Sequence, residues 1–299
     1  MRDSRESNNR GAFTGHSTAA TLLGMADDSM IDDNQETEAL AVWQTLSRLR
    51  STRPLVHCVT NAVAMDLTAN LLLAAGASPV MAHAKEEVEE VASAAAALCI
   101  NIGTLDGPSA EAMYLAAKAA VESGVPWLLD PVGVGATSFR REIAERLSHL
   151  QPSVIRGNAS EITALSQESG GGHGVDATIE SWDALDAAQD LARKCGTVVA
   201  VTGSIDYVTN GHDMTAIANG SEMMGRVTAV GCALSALTAA CLAVQEDPMR
   251  ATVHALVIMG VAGEFAAERA VAPGSFRSAL VDAIYLLDEA TLVKAVRIG

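Results

Sequence analysis

Six short apolar runs, spaced along the chain by Ala-rich stretches of helical periodicity, constrain its fold more than any other feature. They are Leu55 to Val59, Ser78 to Met81, Leu98 to Ile102, Trp127 to Asp130, Ser153 to Ile155 and Val198 to Thr202. Each lies near a small or turn residue, and each reads as a strand. Strands alternating with amphipathic helices form βαβ units, so the expected fold is α/β: a mostly parallel central sheet with helices on both faces. After Asp206 the rhythm changes. Tyr207 to Ile217 alternates around an Asn210-Gly211 turn, the signature of a small hairpin at the sheet edge. Beyond it the chain reads as helix over Cys232 to Val244, Met249 to Ala270 and Ser275 to Val296.

The 299 residues, 49% of them hydrophobic, can bury one large core, and no internal repeat or linker divides them. Residues 1–37 are polar, with acidic pairs at Asp27-Asp28 and Asp32-Asp33, and read as a disordered extension without a signal-peptide core. Residues 38–299 then form one domain, and Gly170-Gly171-Gly172 is a flexible loop within it. A net charge of −16 without a basic stripe argues against a nucleic-acid partner. No apolar run reads as long and clean enough to span a bilayer, which points to a soluble protein. Five scattered cysteines without a CxxC pair suit a reducing compartment, the cytoplasm.

In a parallel sheet, ligands collect at the carboxyl ends of strands. The residues there are polar or glycine-rich: Asn61, Met81, Gly103-Thr104, Asp130-Pro131-Val132-Gly133, Arg156-Gly157-Asn158 and Gly203. Singly, each has a plainer role as a cap or turn; their convergence on one rim points to a site. The segment Val227-Thr228-Ala229-Val230-Gly231-Cys232 reads as a strand end followed by a helix that opens at Cys232. The free N–H groups of such a helix start gather negative charge, so Gly231 and Cys232 form an expected anion hole with a thiol at its mouth.

Asn158 and Glu161 lie on one face of a helix's first turn. They suit a capping box and, equally, a carboxylate organising Mg²⁺ through water, with Asp130 as a second carboxylate. Arg156 supplies fixed positive charge for phosphate oxygens, or a surface ion pair. Gly133-Val-Gly135-Ala-Thr-Ser138 lacks the third glycine and the downstream acid of a dinucleotide loop, and no GxxxxGK[ST] occurs.

Several segments together resemble hydroxyethylthiazole kinase: Asn61-Ala-Val-Ala-Met-Asp-Leu-Thr-Ala-Asn70, Gly76-Ala-Ser-Pro-Val-Met81, Asp130-Pro-Val-Gly-Val-Gly-Ala-Thr137, Ile155-Arg-Gly-Asn-Ala-Ser-Glu161 and Val201-Thr-Gly-Ser-Ile-Asp-Tyr-Val208. The similarity runs in order from about Pro54 to Val244. It implies a ribokinase-like fold and ATP- and Mg²⁺-dependent phosphorylation of the hydroxyl of 4-methyl-5-(2-hydroxyethyl)thiazole in thiamine salvage. It also implies a homotrimer with active sites at subunit interfaces. By resemblance, Asn61 and Met81 line the thiazole pocket, Arg156 and Thr202 contact ATP, Asp130 and Glu161 hold magnesium, and Cys232 sits beside the substrate hydroxyl.

The sequence departs from the family at Ala229, a substrate and anion-hole position where the family has glycine. If the backbone there needs a positive φ, alanine is strained by about 1 kcal/mol. Val230 is harmless if it points into the core. Cys232 has two open roles: a base with a thiol pKa lowered from about 8.5 by the helix N-terminus, or a small residue that lets backbone approach phosphate. Three functions follow in order: the thiazole-alcohol kinase, or a kinase for a related alcohol such as hydroxymethylpyrimidine; a weakened or non-catalytic relative that binds thiazole or nucleotide; and a nicotinamide-dependent oxidoreductase using the Gly133 loop.

Overall fold

A computed structural model of the chain describes residues 28–167 and 180–299. The loop at Gly170-Gly171-Gly172 and residues 1–27 lie outside the described residues. In chain order the elements are α1 (Asp28–Thr52), β1 (Leu55–Val59), α2 (Met65–Ala75), β2 (Ser78–Val80), α3 (Val88–Ala94), β3 (Ala97–Asn101), α4 (Gly107–Ser123), β4 (Trp127–Asp130), α5 (Ser138–Ser148), β5 (Val154–Asn158) and α6 (Ala159–Ser166). There follow α7 (Leu185–Cys195), β6 (Val198–Thr202), β7 (Asp206–Thr209), β8 (Met214–Ile217), α8 (Val230–Leu242), α9 (Pro248–Ala267), α10 (Pro273–Leu286) and α11 (Glu289–Ala295).

The strands form one sheet in the order β2-β1-β3-β4-β5-β6-β7-β8, parallel through β6 and antiparallel in the hairpin. All residues of β3 and β4 are buried, as continuous apolar runs require when helices cover both faces. Their side chains alternate between two cores. Val56, Cys58, Cys99, Leu128, Val154 and Ala200 face the layer of α1, α2 and α8–α11. Val59, Leu98, Ile100, Leu129, Ile155 and Val201 face α3–α7. The two edges are blunted: β2 is three residues long with Pro79 at its centre, and β8 pairs with the chain's last residues. There Ala216 N–H donates to Gly299 O at 2.8 Å, and Ala218 N–H to Arg297 O at 3.0 Å.

The structure moves several expected boundaries. Helix α1 starts at Asp28, so residues 28–37 belong to a helix and not to the extension assigned to them. Strand β5 extends through Arg156, Gly157 and Asn158 because these pair in register with Ala200, Val201 and Thr202 of β6. No strand precedes α8: a 3-10 turn over Glu222–Arg226 leads into it, and the helix starts at Val230 rather than Cys232. The final helical run breaks at Leu287, whose extended ψ is followed by Asp288 accepting from Thr291 N–H as a new cap. Helix α9 is long and apolar enough by composition to cross a membrane, contrary to the sequence reading. However, 78% of its apolar window is buried inside the fold, so it is a core helix.

Candidate active site

The first turn of α8 divides the site. On one side β1, β3 and β4 end in Val59, Asn101 and Asp130, and register places Asn101 opposite Asp130. Asn101 is fully buried. Its Nδ2 donates to Asp130 Oδ2 at 2.5 Å, and its Oδ1 accepts from Asn61 Nδ2 at 2.7 Å and Gly103 N–H at 3.0 Å. Asn61 Nδ2 also reaches Cys232 Sγ at 3.3 Å, while its Oδ1 accepts from Val63 and Ala64 N–H. From the second turn of α8, Ser235 Oγ donates to Asp130 Oδ2 at 2.8 Å. Five side chains thus form one closed network.

Asp130 Oδ1 is the exception, buried without a hydrogen-bond partner. Burial pushes this carboxyl up to about 7, with Arg156 opposing, Glu161 adding to the rise, and Ser235 and Asn101 opposing. The Cys232 thiol is also pushed up, by burial first and then by Asp130, against the lowering effects of Asn61, Asn101 and Arg156. This corrects the expectation of a lowered thiol: burial and the neighbouring Asp130 outweigh the hydrogen bonds and the Arg156 charge that favour a thiolate. At neutral pH Cys232 is an S–H group.

On the other side, Arg156 Nη2 donates to Thr202 Oγ1 at 2.5 Å and Nη1 to Gly231 O at 3.1 Å. A Cβ on residue 231 would lie 3.0 Å from that guanidinium, so glycine permits the approach. Among the described residues Arg156 makes no ion pair, and its Nε is buried without a partner. Arg156, Thr202, Asp206 and Gly231 line an open cavity of about 600 Å³ that Leu234 and Met259 floor with apolar surface. Asp206 accepts from Gly203 N–H at 2.9 Å, and burial pushes its carboxyl up to about 6 against that bond and Arg156.

Ala229 precedes α8 at φ +70° and ψ −1°, the left-handed conformation that disfavours a Cβ. The N–H groups of Val230, Gly231 and Cys232 precede the first intrahelical bond, from Ala233 N–H to Ala229 O, as the anion-hole reading requires. Val230 is buried in the core.

Glu161 fulfils the capping-box role: Oε2 accepts from Asn158 N–H, and Asn158 Oδ1 from Glu161 N–H. Its Oε1 accepts from Gly133 N–H at 2.9 Å, so that amide is not free for a pyrophosphate and the dinucleotide-loop reading loses its anchor. Met81 follows β2, half-buried beside the strand that leads to Asn61, and its carbonyl lies 3.0 Å from His83 Nδ1. Sequence reasoning missed Asn101, Ser235 and Asp206. The signals available were a polar residue closing an apolar strand, a serine three positions from Cys232 on a helix, and an acid just after Thr202.

The described residues hold no cluster of three or more metal-ligating side chains. Two carboxylates nevertheless fit Mg²⁺, which keeps much of its water and shares its shell with phosphate oxygens. The unpartnered oxygen of Asp130 is a hard ligand with nothing else to bind, whereas Glu161, already bonded through both oxygens, suits contact through water.

The sheet order and the helix start beside the cavity that Arg156 lines define a ribokinase-like fold. A pyridoxal kinase of Bacillus subtilis, solved as an ADP complex, shares the fold, with a TM-score of 0.54 and 16% identity over 71% of this chain and 92% of its own. More specifically, the chain belongs to the hydroxyethylthiazole kinase family, whose model matches residues 46–290. It is 50% identical to hydroxyethylthiazole kinase of Granulibacter bethesdensis over 86% of this chain and 96% of that protein. It is 45% identical to the enzyme of Nitratidesulfovibrio vulgaris, over 86% and 97%. The structure of a hydroxyethylthiazole kinase protein from Pyrococcus horikoshii OT3 superposes with a TM-score of 0.81 at 44% identity, covering 86% of this chain and 98% of the other.

Proposed function

We propose that this chain transfers the terminal phosphoryl group of ATP to the hydroxyl of 4-methyl-5-(2-hydroxyethyl)thiazole, a step of thiamine biosynthesis or salvage. The observation that carries the reading is Arg156, which bridges the wall of the cavity at Thr202 to the first turn of α8 at Gly231. That bridge gives the transferring group a guanidinium and two helix-start N–H donors at the junction between a roomy side and a closed polar side. The cavity takes the nucleotide, and the Asn61–Cys232 side takes the alcohol.

Phosphoryl transfer depends on in-line positioning and charge stabilisation more than on covalent chemistry. Arg156 meets the phosphate oxygens; the Gly231 and Cys232 amides cradle the group in flight. Asp130 and Glu161 would hold Mg²⁺, which neutralises phosphate charge when bound. The raised thiol makes Cys232 a poor base, so its role is to stand small and weakly polar beside the hydroxyl, fixed by Asn61. Asn61 and Met81 shape an acceptor pocket suited to a small heteroaromatic.

The same reading extends to a homotrimer with sites at subunit interfaces. It is supported by Val63 and Leu73, each 60% exposed, beside the Asn61 loop and along α2. Its place is the cytoplasm, in keeping with five free thiols. The test is ADP release from ATP and Mg²⁺ with the thiazole alcohol, beside hydroxymethylpyrimidine and a no-acceptor control. Thiazole-dependent release is expected. Binding of the thiazole without release, in the presence of strained Ala229, would instead make the chain a binding relative.

A further inference from the structure

One wall of the 600 Å³ cavity is the stretch Asn219-Gly220-Ser221, which leaves the sheet after β8 and has no strand beside it on the cavity side. Its placement comes from two distant parts of the chain. Glu264 on α9 accepts at one oxygen, Oε1, from Gly220 N–H at 2.7 Å, from Asn219 Nδ2 at 3.2 Å and from Arg297 Nη2. Arg297 N–H donates to Asn219 Oδ1 at 2.8 Å, and Asn219 Nδ2 donates to Ala295 O at 2.7 Å. Below, a Cβ on Gly260 would come within 2.7 Å of Asn219 backbone, so α9 and this wall are in direct backbone contact. The buried Asn219 side chain and the Gly220 amide are therefore both fixed by groups outside the cavity.

We propose that Glu264 and Arg297 are positioning residues for the nucleotide: through Asn219 and Gly220 they hold the cavity wall opposite Arg156 and Thr202 at the spacing a nucleoside triphosphate needs. This rests on the reading of the cavity as the nucleotide side. Neither residue lines the cavity, so their effect is on its shape and not on the chemistry at Gly231. A charged acceptor shared by three donors sets the wall's position; the exposed Arg297 arm of the cluster contributes less than the Gly220 bond.

The test is steady-state kinetics of Glu264→Ala, Glu264→Gln and Arg297→Ala, with melting temperatures alongside. For Glu264→Ala the KM for ATP should rise about tenfold while kcat and the KM for the alcohol stay within about twofold, the signature of lost ground-state binding. Glu264→Gln, whose side-chain carbonyl still accepts from Gly220, should recover most of the affinity, and Arg297→Ala should fall between them. A lower melting temperature with an unchanged KM for ATP in all three would make the cluster merely structural and overturn the proposal. Photolabelling of the unmodified protein with 8-azido-ATP, mapped by peptide, separates the two levels. Label on the segments lining the cavity keeps the nucleotide reading whatever the variants do, and label elsewhere overturns both.

Discussion

The two sides of the α8 start differ in how far the fold itself completes their hydrogen bonding. On the Asn61–Cys232 side, Asn61, Asn101, Asp130, Cys232 and Ser235 are locked to one another, with a single unpartnered oxygen left over. On the Arg156 side, Arg156 and Thr202 face an open cavity whose Asn219-Gly220-Ser221 wall hangs on contacts from elsewhere in the chain. On the proposed reading, the closed network with one free oxygen takes the small alcohol and one ion, and the open cavity takes the larger, flexible nucleotide. The closed side should therefore respond to substitution in kcat, and the open side in KM.

Asp130→Asn is the severest way to break this contrast. Asn101 and Ser235 both donate to Oδ2, so an asparagine whose amide oxygen takes that place keeps both bonds but puts an N–H₂ where the free carboxylate oxygen stood, and kcat should fall by about 10² to 10⁴. Near-normal turnover would reduce the closed side to scaffolding. Cys232→Ser should cost less, about tenfold in kcat, since a hydroxyl keeps the small size and the Asn61 contact; a loss near 10⁴ would restore the thiol as the base.

Ala229→Gly sits on the border of the two sides. Releasing the left-handed strain should raise stability by about 0.5 to 1 kcal/mol, part of it offset by the freer unfolded chain, and raise kcat a few-fold. Unchanged melting and turnover would show that the surroundings already absorb the conformation. The smallest effect on turnover belongs to Asp206→Asn on the open side, where the change is read in stability. Its carboxyl rises from the ordinary 3.8 to about 6 in the fold, so the protonated form's stabilisation is present below 3.8 and is lost as pH climbs through about 6. Asparagine keeps the acceptor for Gly203, so the variant should melt about 3 °C higher at pH 8, worth about 1 kcal/mol, with the gain vanishing near pH 4.

Much of the fold was legible because both faces of the sheet are covered: β1, β4 and β6 fall on their apolar runs, and the hairpin turns at Asn210-Gly211 as its sequence requires. At the site, Asn61, Asp130, Arg156 and Thr202 were visible as polar punctuation at strand ends. Asn101 and Ser235 were not, since one closes an apolar strand and the other sits among Ala and Leu on a helix. Only strand register and the crossing of α8 bring them to Asp130. Val227 to Ala229 misled for the opposite reason: local β-propensity there is overridden by the backbone turn that Ala229 must make to start α8. The cluster at Glu264 joins residues too far apart in sequence for any spacing rule to connect.

The pairing of Arg297 to Gly299 with β8 also bears on how the molecule keeps company with its own copies. An open sheet is exposed to edge-to-edge association wherever a border strand offers an unbroken row of N–H and C=O groups. At one border Pro79 withholds an amide from a strand only three residues long. At the other, the last three residues occupy the row themselves, so a chain clipped before Arg297 would expose β8 as a template for fibrous or amorphous aggregation.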